Sequence, residues 1–208
     1  MSRRDRLNLR ERLILRAVSG LSKISVGYNP PFLDEIVKVY GVREGFKRAA
    51  SLEELVKRFE TLLGERDGHI VLGYASLWNG CEFCSLGHVY AGNLAHFRDT
   101  GELFPLDEHV LRIKMREGDD QEILEYTTTS LPGHDRLREL LVRQFELKAG
   151  ADPGGNEDDE MLSASIAAYD WLNHCSIYGD PGVPLVALSP LQKQSTLRRL
   201  YDKARGRG

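Results

Sequence analysis

Cys81, Cys84 and His88 sit within one eight-residue run, Cys81-Glu82-Phe83-Cys84-Ser85-Leu86-Gly87-His88. A separation of three and then four residues puts all three side chains on one face if the run is helical. Cys81 then falls at the start of the helix, where unpaired amides and the helix dipole favour a thiolate. The thiolate is the form that attacks disulfides and peroxides. A second thiol nearby condenses with an oxidised partner to give a disulfide before oxidation goes further. His88 is the side-chain type that exchanges a proton near neutral pH. Two other readings of the same residues stay open. Small buried thiols are common core residues. Cys81, Cys84, His88 and the earlier His69 are also four side chains of zinc-ligating type, although a zinc knuckle is more often built in a turn than along a helix.

The elements that must position these residues read as helices. Leu7 to Val18 forms a short amphipathic helix ending near Gly20, and Asn29-Pro30-Pro31 interrupts regular structure. Pro31 to Tyr40 carries Phe32, Ile36 and Val37 at helical spacing. A new helix is predicted from Ser51, with Glu54 completing a capping box and Leu52, Leu55, Val56, Phe59, Leu62 and Leu63 following at helical spacing. Residues 69–79 are apolar and compact, and 82–98 continue as a helix. On that helix Phe83, Tyr90, Leu94 and Phe97 form a core stripe, while Gly87, Ala91 and Ala95 would let another helix approach closely. Further helices are predicted over Asp107–Arg116, Asp119–Thr129, Asp135–Ala149, about Glu160–Tyr178 and about Pro190–Ala204, where Ser189-Pro190 is a start signal. Gly150 to Asp159 reads as a loop, its acidic residues solvated, and the tail from Arg205 is expected to fray. No segment alternates with period two, and Val183–Leu188 is the nearest approach to a strand. The fold class is therefore all-α, divided into an arm (1–31), a helical domain (32–184) and a C-terminal helix and tail (185–208).

Composition narrows the function. The 208 residues are 41% hydrophobic and 28% charged, with net charge −3, which suits a globular chain and gives no basic surface for nucleic acid. Six arginines crowd the first sixteen residues, read as a solvated helix face. No secretory h-region and no membrane-length apolar run follow them, so a cytoplasmic location is expected, where a close cysteine pair points to redox or metal chemistry. Cys175 and His174 are read as core packing, as are Tyr74, Tyr169 and Trp171; His96 and His109 carry no assigned role, and His134 marks a turn near a helix start.

The run Trp78-Asn79-Gly80-Cys81-Glu82-Phe83-Cys84-Ser85-Leu86-Gly87-His88 resembles the signature of the alkylhydroperoxidase D-like (carboxymuconolactone decarboxylase-like) superfamily, in its peroxidase-related branch. The apolar stretch Ile166–Asn173 is similar to a later helix of that branch. The likeness covers about 69–98 closely and extends over 50–178. It implies an all-helical homo-oligomer, a trimer or a multiple of one. It also implies a thiol peroxidase or disulfide reductase that needs no metal or organic cofactor. Cys84 matches the peroxide-attacking cysteine, Cys81 its disulfide partner and His88 the relay histidine. Helix-end electrostatics, by contrast, favours Cys81 as the activated thiol. The family carries a glutamate twelve residues before the first cysteine; this chain has His69 there, so its relay would begin at a histidine and follow another pH dependence. The expected partners are a small hydroperoxide and a dithiol donor. The alternatives are a disulfide reductase serving a partner peroxidase, and a non-catalytic module that senses oxidation or binds zinc.

Overall fold

The computed structural model describes residues 8–25, 27–28, 33–171 and 185–207. Among them are eight α-helices and no strand, an all-α fold. The helices are α1 (Leu9–Ser25), α2 (Leu33–Trp78), α3 (Glu82–Thr100), α4 (Glu108–Glu117), α5 (Asp120–Ser130), α6 (Asp135–Lys148), α7 (Glu157–Asp170) and α8 (Ser195–Ala204), the last preceded by a 3₁₀ turn, Pro190–Lys193. No helix of the described residues is long and apolar enough to cross a membrane.

α1 starts where Asn8 and Glu11 cap each other: the Glu11 amide donates to Asn8 Oδ1 (2.9 Å) and the Asn8 amide to Glu11 Oε2 (2.8 Å). It runs through Gly20 rather than ending there, since a lone glycine costs a helix only about 1 kcal/mol. α2 departs further from expectation. Ser51 does not start a helix; its hydroxyl donates back to the Lys47 carbonyl at 3.1 Å, in mid-helix. The breaks fall instead at Gly41 (φ 75°, ψ 167°) and Gly64 (φ 81°, ψ 162°). Both lie in backbone space that is essentially glycine's alone.

The Gly64 break reverses the chain. It folds residues 65–78 back against the preceding segment so tightly that a β-carbon on Gly68 would lie 2.8 Å from the Phe59 carbonyl carbon. Residues 65–78 then turn through Asn79-Gly80 into α3, and the two helices pack closely at Gly73 and Gly92. α3 is the centre of the molecule: Glu82 and every residue from Cys84 to Ala95 are buried. The approach to Gly87 comes not from a helix but from residues 186–188, whose Leu188 amide donates to the Gly87 carbonyl at 2.9 Å. Ala91 and Ala95 pack with Ala187, Leu191 and Tyr201 of the C-terminal region.

α4 and α5 are capped by Asp107 and Asp119 and match their predicted spans closely. α6 and α7 close the other side of the core, where Gln144 Nε2 donates to the Val71 carbonyl (3.2 Å) and to Ser165 Oγ (3.0 Å). The loop holds as far as Asn156, and Glu157 and Glu160 are exposed, but the acidic run is helical and Asp159 is buried. Asn156 caps α7, Glu157 to Glu160 form its first turn, and acidic side chains there complement the helix dipole. Asp159 is buried against Arg143, which holds its carboxyl down at about 2. The tail does not fray either: Arg205 donates to the Phe104 carbonyl at 2.6 Å, and Arg207 pairs with Glu108 and Asp107.

Candidate functional site

Cys81 is the N-cap residue of α3, with extended backbone (φ −92°, ψ 92°). It is placed by the Asn79-Gly80 turn: the Gly80 amide donates to the Leu77 carbonyl (2.8 Å) and the Cys81 amide to the Ser76 carbonyl (3.0 Å). Asn79 anchors that turn to α7 through a 3.0 Å bond to the Ile166 carbonyl. Cys84 lies in the first turn of α3. Neither cysteine is in a disulfide, and each residue is only 3% exposed. They hydrogen-bond to each other, and that bond, with burial, raises the Cys84 thiol well above its ordinary range. Cys81, at the positive end of α3, is the member placed to ionise first.

His88 is buried two turns into α3, and both ring nitrogens are engaged. Its Nδ1 lies 2.9 Å from His69 Nδ1, and its Nε2 lies 2.6 Å from the Tyr169 hydroxyl of α7. His69 is fully buried, and its Nε2 stands 3.2 Å from Glu60 Oε1, at ion-pair distance though off the line of a hydrogen bond. Glu60 belongs to the segment before the Gly64 break, and its side chain is 32% exposed. The fold thus joins Tyr169, His88, His69 and Glu60 in one row from the thiols to the surface. Tyr169 is raised well above the usual phenol range, first by burial and then by the fields of Cys84 and Cys81. Tyr28, beyond α1, stands over the same site with its ring 6.4 Å from that of Phe83. Burial, and then the field of Cys84, raises its phenol too.

Comparison with known protein families, with curated proteins and with solved structures gives no significant match. The site therefore rests on its own geometry. All four residues singled out from the sequence lie in it: Cys81 with Cys84, and His69 with His88. Tyr169, Glu60 and Tyr28 were not foreseen as part of it. His174 and Cys175 lie outside the described residues. Among the described residues no group of three or more His, Cys, Asp or Glu side chains is arranged to hold a metal ion.

A cavity of about 320 Å³ lies near the Asn79-Gly80 turn, lined by Leu77, Gly80, Glu82, Met115, Arg116, Asp120 and Ile123 and by neither cysteine. Glu82 is buried there and paired with two arginines, Arg116 at 2.7 Å and Arg112 at 3.2 Å.

The buried imidazole makes the fold sensitive to acid. Burial, then the field of His69, pushes His88 well below its ordinary value. In the unfolded chain it would titrate near 6.5, so below that pH the unfolded state binds more protons than the folded state. Stability is fully present above about 6.5 and is lost as pH falls below it, at up to about 1.4 kcal/mol per pH unit. Urea midpoints taken from about pH 7.5 down to about pH 5.5 should fall for the unaltered chain and fall less for His88→Gln. Equal slopes in the two proteins would contradict a neutral, buried His88.

Proposed function

We propose that the protein is a thiol oxidoreductase that reduces small hydroperoxides through a Cys81–Cys84 dithiol/disulfide cycle. The observation that carries this reading is the pair itself. One thiol caps the N-terminus of the most buried helix, its partner is hydrogen-bonded to it, and a row of proton-exchanging side chains stands beside both. In the first step the Cys81 thiolate attacks a peroxide oxygen. The S–O bond forms, the O–O bond breaks, and the leaving alkoxide takes up a proton to become the alcohol. Cys84 then loses its proton and attacks the Cys81 sulfur; the S–S bond forms and hydroxide leaves, to be protonated to water. An external dithiol returns the two electrons by exchange. No metal or organic cofactor enters this cycle.

The assignment of first attack to Cys81 follows the helix-end electrostatics; the resemblance to the alkylhydroperoxidase D-like signature would give it to Cys84. That resemblance supports the same overall chemistry. The burial of both thiols favours a small oxidant over a protein disulfide as substrate. The test is hydroperoxide consumption with dithiothreitol as donor, with mass spectrometry of the oxidised protein. Catalytic turnover and a Cys81–Cys84 disulfide are expected. Absence of turnover with both hydrogen peroxide and an alkyl hydroperoxide would overturn the proposal.

A further inference from the structure

The outer side of α1 is both apolar and basic. On a helix at ~100° per residue, Leu9, Leu13, Ala17, Leu21 and Ile24 fall within one arc of about 120°. All five are exposed, the four large ones by 57% to 76%. Arg16 and Lys23 border this stripe on one side and Arg10 lies at its other side, and all three are exposed. The acid of α1, Glu11, falls on the inner side, engaged in the cap with Asn8, so the exposed residues of the helix include no carboxylate. The inner side also carries Leu15, buried, with Ile14 and Val18 partly buried, and packs on α2. Arg3, Arg4 and Arg6 precede the helix in the chain. Residues 1–25 thus hold seven Lys and Arg against Asp5 and Glu11, although the whole chain carries −3. The run of arginines suggested a solvated charged face; the helix instead sets its cations along an exposed apolar stripe.

We propose that α1 is an interfacial helix that docks the protein on the surface of a bilayer rich in anionic lipids. Its axis lies in the plane of the membrane. Leu9, Leu13, Leu21 and Ile24 enter the boundary between headgroups and acyl chains, and Arg10, Arg16 and Lys23 reach lipid phosphates at the margins of the stripe. With that cationic margin α1 lies on a membrane and does not cross one. Two observations favour lipid over a second copy of this chain. The exposed charge on α1 is of one sign, which complements an anionic surface and opposes self-pairing: two α1 helices set face to face would bring their cationic margins together. The other exposed large apolar side chains, Val39, Phe46, Leu62, Val110, Ile113 and Leu200, are spread over α2, α4 and α8. Among the described residues a second copy therefore offers no apolar stripe to match this one outside α1 itself.

Docking on lipid needs no thiol chemistry, so it stands or falls separately from the peroxide cycle. The test floats the full chain with vesicles of equimolar phosphatidylcholine and phosphatidylglycerol, and separately with vesicles of phosphatidylcholine alone. Partition onto the anionic vesicles is expected to exceed that onto the neutral ones by about tenfold or more, and to weaken as salt rises from about 0.1 M to about 0.5 M. Leu13→Gln with Leu21→Gln should lower it on the order of 10–100-fold, by removing apolar surface that enters the interface. Arg10→Gln with Arg16→Gln and Lys23→Gln should lower partition onto the anionic vesicles by a similar factor and leave that onto phosphatidylcholine unchanged. All five side chains are exposed, so both variants should keep the circular dichroism and Tm of the unaltered chain. No partition onto the anionic vesicles would overturn the proposal. So would partition that the double leucine variant leaves unchanged, since the apolar stripe would then play no part. Self-association in light scattering that the same variant abolishes, without vesicle binding, would give the face to a second copy instead.

Discussion

Cys84→Ser is expected to abolish catalytic turnover of a hydroperoxide, a loss of about a thousandfold or more, yet to leave one oxidation event per chain at Cys81. The two thiols differ in what holds their protons. Cys84 is buried within the helix turn and hydrogen-bonded to its neighbour, and both effects favour its neutral form. Cys81 sits at the N-cap, at the positive end of the α3 dipole. With Cys84 gone, Cys81 can still be oxidised once to a sulfenic acid, which then has no internal thiol to condense with and should be trapped by a cyclic diketone. Cys81→Ser should behave differently: the remaining thiol is buried and lies inside the helix rather than at its positive end, so even the single event should be slow. A rapid-quench count of peroxide consumed per chain checks both. The reverse pattern, with a fast first event in Cys81→Ser and none in Cys84→Ser, would assign the attack to Cys84.

The largest loss of stability is expected from a site far from any chemistry. Glu108, in the first turn of α4, is fully buried and accepts three bonds: from Asn93 of α3 at 2.6 Å, from Tyr201 of α8 at 2.7 Å and from Arg207 at 2.6 Å. It is the point at which the C-terminal region is tied to the central helix. Glu108→Ala takes an acceptor from two buried donors, Asn93 and Tyr201, and leaves Arg207 paired with Asp107 alone, at a cost of about 3–5 kcal/mol. For a chain of this length each kcal/mol lowers Tm by about 2–4 °C, so a fall of about 10 °C is expected in thermal unfolding. Glu108→Gln keeps an acceptor for Asn93 or Tyr201 and should lose less. A Tm unchanged in Glu108→Ala would mean that α8 is held by its apolar contacts alone.

Much of this arrangement was legible in the chain, for identifiable reasons. Helices α3 to α6 announce themselves through their periodicity, α4 and α5 also through the aspartates that cap them, and the cysteine–histidine spacing places Cys81 at a helix start, where it is found. Glu60 was not legible because it precedes His69 by nine residues, a spacing that puts two side chains on opposite faces of an unbroken helix. Only the backbone reversal at Gly64 brings them together, and a glycine inside an apolar periodic stretch does not declare whether the helix bends there or continues. Gly20, which α1 passes straight through, carries the same signal with the opposite outcome. Tyr169 was read as core, which it is; its role depends on which atom its hydroxyl meets, and that is a long-range fact, since His88 is 81 residues away in sequence. Ser51 misled because serine with a glutamate three residues on marks a helix start only when the preceding residues are not already helical.

The burial of α3 on nearly every side also sets how the thiols meet a reagent. A helix at a surface exposes its first turn by fraying, at little cost in free energy. α3 is enclosed by α2, α4, α8 and the 186–188 segment, so its amides belong with the slowest-exchanging hydrogens of the molecule, those released only when a whole cooperative unit opens. Bulky reagents would then modify Cys81 and Cys84 at a rate set by the opening equilibrium of that unit rather than by thiol chemistry. Alkylation by a bulky maleimide would accordingly track denaturant concentration, as a measure of folding, whereas oxidation by a small peroxide would not.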